Sequence, residues 1–135
     1  MSVDTKDPVF VFSGCFDALS INDLYGGDIE SAAEVFGGAA CRIRESVGLV
    51  RRHLSDGEGQ EPIRRILHRI KPVFGYTGLN ALQESVGHFE ALCTPEADRQ
   101  RLFAEYLPLE KAMLVAAGEI EREYARLTDH INATA

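Results

Sequence analysis

Apolar side chains recur along most of this chain at steps of three and four residues, which is the spacing of one face of an α-helix. The first long segment begins after Asp28, a residue type that caps helix N-termini well, and ends in the stretch from Ser55 to Gly59. Its apolar positions are Val35, Phe36, Ala39, Ile43, Val47, Val50 and Leu54. This pattern predicts a long helix with one buried face.

Three further segments have the same spacing. Pro62 stands where a first-turn proline is tolerated and opens the second segment, and Thr94-Pro95 is typical of a cap followed by such a proline and opens the fourth. Pro108 lies within the fourth segment and is expected to kink or break it, because proline lacks the N–H of the helical hydrogen bond. The apolar positions are Ile63, Ile66, Leu67, Ile70 and Phe74 in the second segment, Leu79, Leu82, Val86 and Phe89 in the third, and Leu102, Tyr106, Leu109, Met113, Ala116, Ile120, Tyr124 and Leu127 in the fourth.

Four amphipathic segments with short connections predict an all-α fold, an up-and-down four-helix bundle. A short extra N-terminal helix over Ile21 to Tyr25 is expected to cover one end. We assign residues 16–128 to the bundle, 1–15 to an N-terminal extension and 129–135 to a C-terminal tail. The alternation from Val9 to Phe12 would suit a strand but has no obvious partner.

Length and composition narrow the class of protein. A chain of 135 residues suits one domain, and no stretch approaches the roughly 18–20 apolar residues that span a bilayer. The apolar run at 9–12 lacks the basic lead-in of a secretory signal, so we expect neither export nor a membrane segment. Cys15, Cys41 and Cys93 are odd in number and have no paired spacing. We therefore expect the three cysteines to be small buried side chains, and the protein to lie in a reducing compartment, the cytoplasm.

The net charge of −7 argues against a nucleic-acid-binding protein. The charge is unevenly distributed, because residues 42–71 carry eight bases and four acids while the remainder carries six bases and 17 acids. A basic region on an acidic body suits a site that binds an anion or an acidic partner. The alternative is an ordinary solvated helix face, and charge alone leaves both open.

The second segment places a histidine on its solvent side. At 100° per residue, with Ile63 at about 0°, the apolar positions cluster within roughly 60° of that direction and His68 lies at about 140°. Lys71 falls near 80°, Arg64 near 100° and Gly75 near 120°. His68 is therefore expected to be exposed, with cations one turn before and one turn after it and a residue without a side chain above the ring.

This arrangement suits nucleophilic chemistry at phosphorus. A neutral imidazole has one bare ring nitrogen that can attack, and nearby Lys and Arg groups can stabilise the charge of phosphoryl oxygens. Gly75 would let a partner approach the ring closely. The alternative is an exposed helical histidine among solvated bases, with no chemical role.

The residues from His68 to Leu79 resemble the signature of the histidine-containing phosphotransfer (HPt) domain family. That signature is His-x-Leu/Ile-Lys-Gly followed by glycines seven and ten residues past the histidine, which correspond here to Gly75 and Gly78. The stretch from Leu24 to Asp28 is similar to the turn that often precedes the first long helix of the family. The resemblance extends over about residues 16–127.

The resemblance implies that His68 is phosphorylated, that Lys71 contacts the phosphoryl group and that Gly75 keeps the docking surface open. We add Arg64 as a second stabilising cation on the helical-wheel geometry alone. The family has no catalytic machinery of its own, so this implies a phosphocarrier in a multistep His–Asp phosphorelay rather than an enzyme. Phosphoryl groups would arrive from one receiver-domain aspartate and leave to another.

The implied partners are response-regulator receiver domains and a hybrid histidine kinase, and we expect a monomer. Arg65 and Pro72 would join Gly75 in docking the receiver. The receiver would supply an acidic pocket and Mg²⁺, so no cofactor is expected on this chain.

The chain departs from the family pattern at three positions. Pro72 replaces the usual Gly and cannot donate to the carbonyl of His68, so the helix is expected to bend or loosen there. Phe74 and Leu67 replace commonly small residues. Two other functions stay open: the phosphoacceptor module of a chemotaxis-type histidine kinase, and a non-phosphorylated receiver-docking protein.

Other chemistry has weaker support. His53 at the end of the first long segment suits a structural role, since positive charge is favourable at a helix C-terminus. His88 follows Glu84 by four residues, but the Glu-x-x-His pair of a di-metal bundle is missing, so no metal is expected. His130 falls in the C-terminal tail and is expected to be inert.

Overall fold

The computed structural model describes residues 9–57 and 59–135 and consists of five helices. They are α1 (Ala18–Tyr25), α2 (Ile29–Asp56), α3 (Glu61–Tyr76), α4 (Asn80–Leu92) and α5 (Arg99–Thr134). No strand occurs in these two ranges, so the prediction of an all-helical protein is confirmed. No helix within them is long and apolar enough to cross a membrane.

The ends of α2 lie where local chemistry predicts them. The Asp28 carboxylate accepts a hydrogen bond from the backbone N–H of Ser31 at 3.1 Å, which satisfies one of the free donors of the first turn. At the other end Gly57 adopts a left-handed conformation with φ 71°, which glycine tolerates best. Pro62 lies in the first turn of α3, as predicted.

The predicted start of the last helix is wrong, and so is the predicted break at Pro108. α5 begins at Arg99, because the carboxylate of Asp98 accepts from the N–H of Arg101, and Thr94-Pro95 lies in the preceding turn. Pro108 does not break α5, which continues through it to Thr134. Pro108 is exposed, whereas Tyr106 before it and Leu109 after it are buried in the core, so core packing maintains the helix despite the missing hydrogen bond.

One contiguous core joins the helices. α2 packs most extensively on α5, and α3 packs on both α2 and α4. α4 packs less extensively on α5 than on α3. The largest fully buried apolar side chains are Ile21, Phe36, Ile43, Leu54, Ile63, Leu67, Phe74, Tyr106, Met113, Ile120 and Leu127.

The N-terminal residues 9–17 form neither strand nor helix and cover the core between α2 and α5. Phe12 and Phe16 are buried against Phe36. Ser13 donates its N–H and its hydroxyl to the buried carboxylate of Glu123, at 2.7 and 2.6 Å. The alternation at 9–12 therefore reflects side chains that dock on a helical core, and the rest of the predicted extension, residues 1–8, lies outside the described residues.

The cysteines do not share one environment. Cys93 is buried, as predicted, whereas Cys15 and Cys41 are exposed and the prediction for them is wrong. All three are free thiols.

Candidate functional site

His68 projects into solvent from α3. Leu67 and Ile70 beside it are buried, and the His68 side chain is 70% exposed. The helical period explains this, because the apolar positions of α3 define one face and His68 lies well off it. The predicted exposure of His68 is confirmed.

The carboxylate of Glu90 in α4 bridges His68 and Lys71. Oε2 of Glu90 lies 2.9 Å from Nδ1 of His68, and Oε1 lies 3.0 Å from Nζ of Lys71. The Glu90 side chain is only 12% exposed, and its buried Oε1 has Lys71 as an ion-pair partner rather than a well-aligned hydrogen-bond donor. Lys71, at 31% exposure, is thus paired with Glu90 beside the imidazole.

The electrostatics of this cluster favour an ionised carboxylate. Burial by itself would raise the pKa of Glu90, but the contacts with Lys71 and His68 outweigh it and hold the pKa below its usual value. Glu90 therefore carries a negative charge at neutral pH.

That charge decides which ring nitrogen of His68 carries the proton of the hydrogen bond. An ionised carboxylate only accepts hydrogen bonds, so Nδ1 of His68 must carry the proton that lies between them. In a neutral ring the other nitrogen, Nε2, is then bare and nucleophilic. The contact thus selects the tautomer in which Nε2 can attack an electrophile.

The Arg64 guanidinium is turned toward the start of α3. It makes two hydrogen bonds to the Glu61 carboxylate, at 3.1 and 2.7 Å, and these chiefly raise its pKa, with a smaller contribution from the charge of Glu90. Arg65 lies 3.7 Å from the same carboxylate. Glu61 therefore pairs with both Arg64, the predicted stabilising cation, and Arg65, a predicted docking residue, and neither arginine has a described contact with His68.

Gly75 and Pro72 lie on the turns that follow His68. The side chain of Gln83 in α4 lies over Gly75, where an added Cβ would be 2.7 Å from Gln83 Nε2. The gap expected above the imidazole is thus partly occupied by a flexible amide. Pro72 is exposed, and α3 continues through it to Tyr76.

Sequence reasoning missed the contribution of α4. The flank of α4 that faces α3 carries Gln83, Gly87 and Glu90. The Lys71 side chain passes over Gly87, and its Cδ would lie 3.6 Å from a Cβ added at that glycine. Nothing in the sequence pairs Glu90 with a residue 22 positions earlier. Only the α3–α4 packing brings them together.

Two other histidines take part in contacts elsewhere in the fold. The carbonyl of His53 accepts from the N–H of Gly57 at the end of α2. His130 packs edge-on against Phe10, with ring centroids 5.4 Å apart, so it belongs to an ordered contact rather than an inert tail. Within residues 9–57 and 59–135, no group of three His, Cys, Asp or Glu side chains could hold a metal ion.

Comparison of the chain with protein-family models, with curated proteins and with solved structures gives no match. The geometry around His68 and the motif resemblance are therefore the two indications of function.

Proposed function

We propose that this protein is a phosphocarrier in a multistep His–Asp phosphorelay, which accepts a phosphoryl group on His68 from one receiver domain and donates it to another. The observation that carries the proposal is the 2.9 Å contact between Nδ1 of an exposed imidazole and the Glu90 carboxylate. An imidazole held in this tautomer, on the surface and beside a lysine, fits the role of a phosphoryl acceptor.

The transfer uses groups of both proteins. The Nε2 lone pair of His68 attacks the phosphorus of a receiver aspartyl phosphate, and the N–P bond forms as the acyl O–P bond breaks. The receiver aspartate leaves as a carboxylate, and a Mg²⁺ ion held by the receiver would supply positive charge for the phosphoryl oxygens. The Nδ1 proton stays on the imidazole, whose new positive charge is balanced by Glu90. Lys71, on the other oxygen of Glu90, is close enough to add stabilising charge.

The proposed architecture is an up-and-down four-helix bundle of α2–α5, with α1 as the short extra N-terminal helix. In this arrangement the outer face of α3 presents Arg65, Pro72 and Gly75 around His68, and this surface would dock the receiver. A basic face suits the acidic pocket of a receiver domain, because complementary charge accelerates encounter. We also propose that a hybrid histidine kinase is a partner of this protein, and that the protein is monomeric and lies in the cytoplasm.

Phosphotransfer from a receiver domain tests the proposal. The chain is incubated with a ³²P-labelled phosphorylated receiver, as wild type, as His68→Gln and as His88→Gln, a matched change at another exposed histidine. We expect acid-labile label on wild type and on His88→Gln, and none on His68→Gln. Label retained by His68→Gln would refute the assignment.

A docking protein that no longer turns over phosphoryl groups is the second candidate. The position of Pro72 inside α3, four residues after His68, favours it, because the carbonyl of His68 loses its helical hydrogen bond there. Receiver binding of equal affinity by wild type and His68→Gln, with no transfer of label to either, would support this alternative.

A further inference from the structure

A groove runs between α4 and α5, on the flank of α4 opposite the His68 site. Two adjoining cavities of about 590 and 320 Å³ form this groove, and both are lined by Leu82, Ser85 and Ala112. The groove extends from Asp17 at one end to Leu92 at the other. It therefore follows α4 over most of its length.

Small side chains create the groove. Ala81 and Ser85 on α4 face Ala112 and Ala116 on α5, so the two helices leave space where larger residues would interdigitate. This agrees with the lesser packing of α4 on α5 than on α3. The floor is apolar and is formed by Leu82, Phe89, Leu92 and Leu109.

Apart from the imidazole of His88, the charged groups along the groove are carboxylates. Among the residues that the structure describes, Asp17 accepts from two neutral donors, the N–H of Ser20 and the amide of Asn80, and Glu119 faces the thiol of Cys15. Glu105 pairs with Arg101, which stands outside the groove. Within the described residues, neither Lys nor Arg lines either cavity. An apolar floor with acidic edges is complementary to an apolar surface with basic edges.

We propose that this groove binds a helical, amphipathic segment of a partner protein, with apolar side chains along one face and Lys or Arg on both sides of them. Such a segment would bury its apolar face on the floor and place its cations near Asp17 and Glu119. α4 has 13 residues and is about 20 Å long, so a segment of about 13 residues fills the groove. This site is separate from the receiver-docking surface, although α4 forms a wall of both.

A labelled peptide tests the groove directly. The probe is a 14-residue fluorescent peptide with leucines at helical i, i+3, i+4 and i+7 spacing and lysines elsewhere, compared with a scrambled peptide of the same composition and with a Leu/Glu version. Fluorescence anisotropy is measured at physiological salt, where unspecific surface attraction is screened. We expect the patterned Leu/Lys peptide to bind at least tenfold more tightly than either comparison peptide.

Two variants on one helix locate the binding. Ala112→Arg puts a cation into the groove and should weaken binding at least tenfold, whereas Ala125→Arg, an identical change on an exposed position of α5 outside the groove, should change it less than twofold. His68→Gln should bind as wild type does, so this result is independent of phosphotransfer. If Ala112→Arg does not fold, Ser85→Arg on the α4 wall replaces it.

Three results would overturn the proposal. If the scrambled peptide bound as tightly as the patterned one, or if both arginine variants weakened binding equally, the peptide would be attracted by the net charge of the protein alone. Preference for the Leu/Glu peptide would reverse the charge argument. Light scattering that shows a dimer abolished by Ala112→Arg would assign the groove to a second copy of this chain.

Discussion

Replacing Glu90 with glutamine tests the mechanism most directly, because it removes the charge and keeps the shape. The side chain is 12% exposed and contacts His68 at 2.9 Å and Lys71 at 3.0 Å, so the substitution alters both contacts at once. A hydrogen bond to a charged group contributes about 1.5–3 kcal/mol. The imidazole is 70% exposed, so solvent screening reduces this to about 1 kcal/mol.

That energy has a measurable consequence for the ring. A loss of about 1 kcal/mol shifts the ratio of the two neutral tautomers about fivefold, away from the form with Nδ1 protonated. If Nε2 is the nucleophile, the rate of phosphorylation falls by up to the same factor, because the rate follows the fraction of rings with Nδ1 protonated. Nitrogen NMR of the imidazole reports the tautomer ratio, and phosphoramidate, a small phosphoryl donor that requires no partner protein, reports the rate.

The matched control is Glu84→Gln, an exposed glutamate on the same helix. We expect it to leave both the tautomer ratio and the rate unchanged. The reasoning fails if Glu90→Gln leaves the tautomer ratio within twofold of wild type, or if Glu84→Gln produces the same effect.

Three further predictions follow from the contacts. Lys71→Ala should slow phosphorylation by phosphoramidate without unfolding the bundle, since Lys71 lies at the surface; an unchanged rate would remove it from the mechanism. The pKa of Glu90 is lowered in the folded state, so its contacts contribute their full stability above the ordinary pKa of 4.5, and this stability is lost as the pH falls through the pKa of the folded state. Carbon NMR of the Glu90 carboxyl should therefore show a titration midpoint below pH 4.5. Glu123→Ala should destabilise the fold by about 2 kcal/mol in urea unfolding, because it leaves Ser13 and Arg126 without their buried acceptor, whereas Glu121→Ala, at an exposed ion pair, should destabilise it much less.

Much of the fold could be predicted because local chemistry set it. The Asp28 cap, the glycine at the end of α2 and Pro62 in the first turn of α3 each act within one helical turn of their own position. The same locality misled the prediction for α5. Thr94-Pro95 is a plausible start, but Asp98 is the residue whose carboxylate caps the helix. Pro108 is tolerated because packing of the whole bundle outweighs one missing hydrogen bond.

The sequence by itself determined which residues of α3 face the core and which face water, and so it determined that His68 is exposed. A helix repeats every 3.6 residues, and this period converts spacing into direction without knowledge of any partner helix. Tertiary structure decided what surrounds the exposed ring. Glu90 reaches His68 and Lys71 from another helix, and this contact depends on how α3 and α4 pack. The pairing of Arg64 with Glu61 is local, because the two residues are three positions apart in α3.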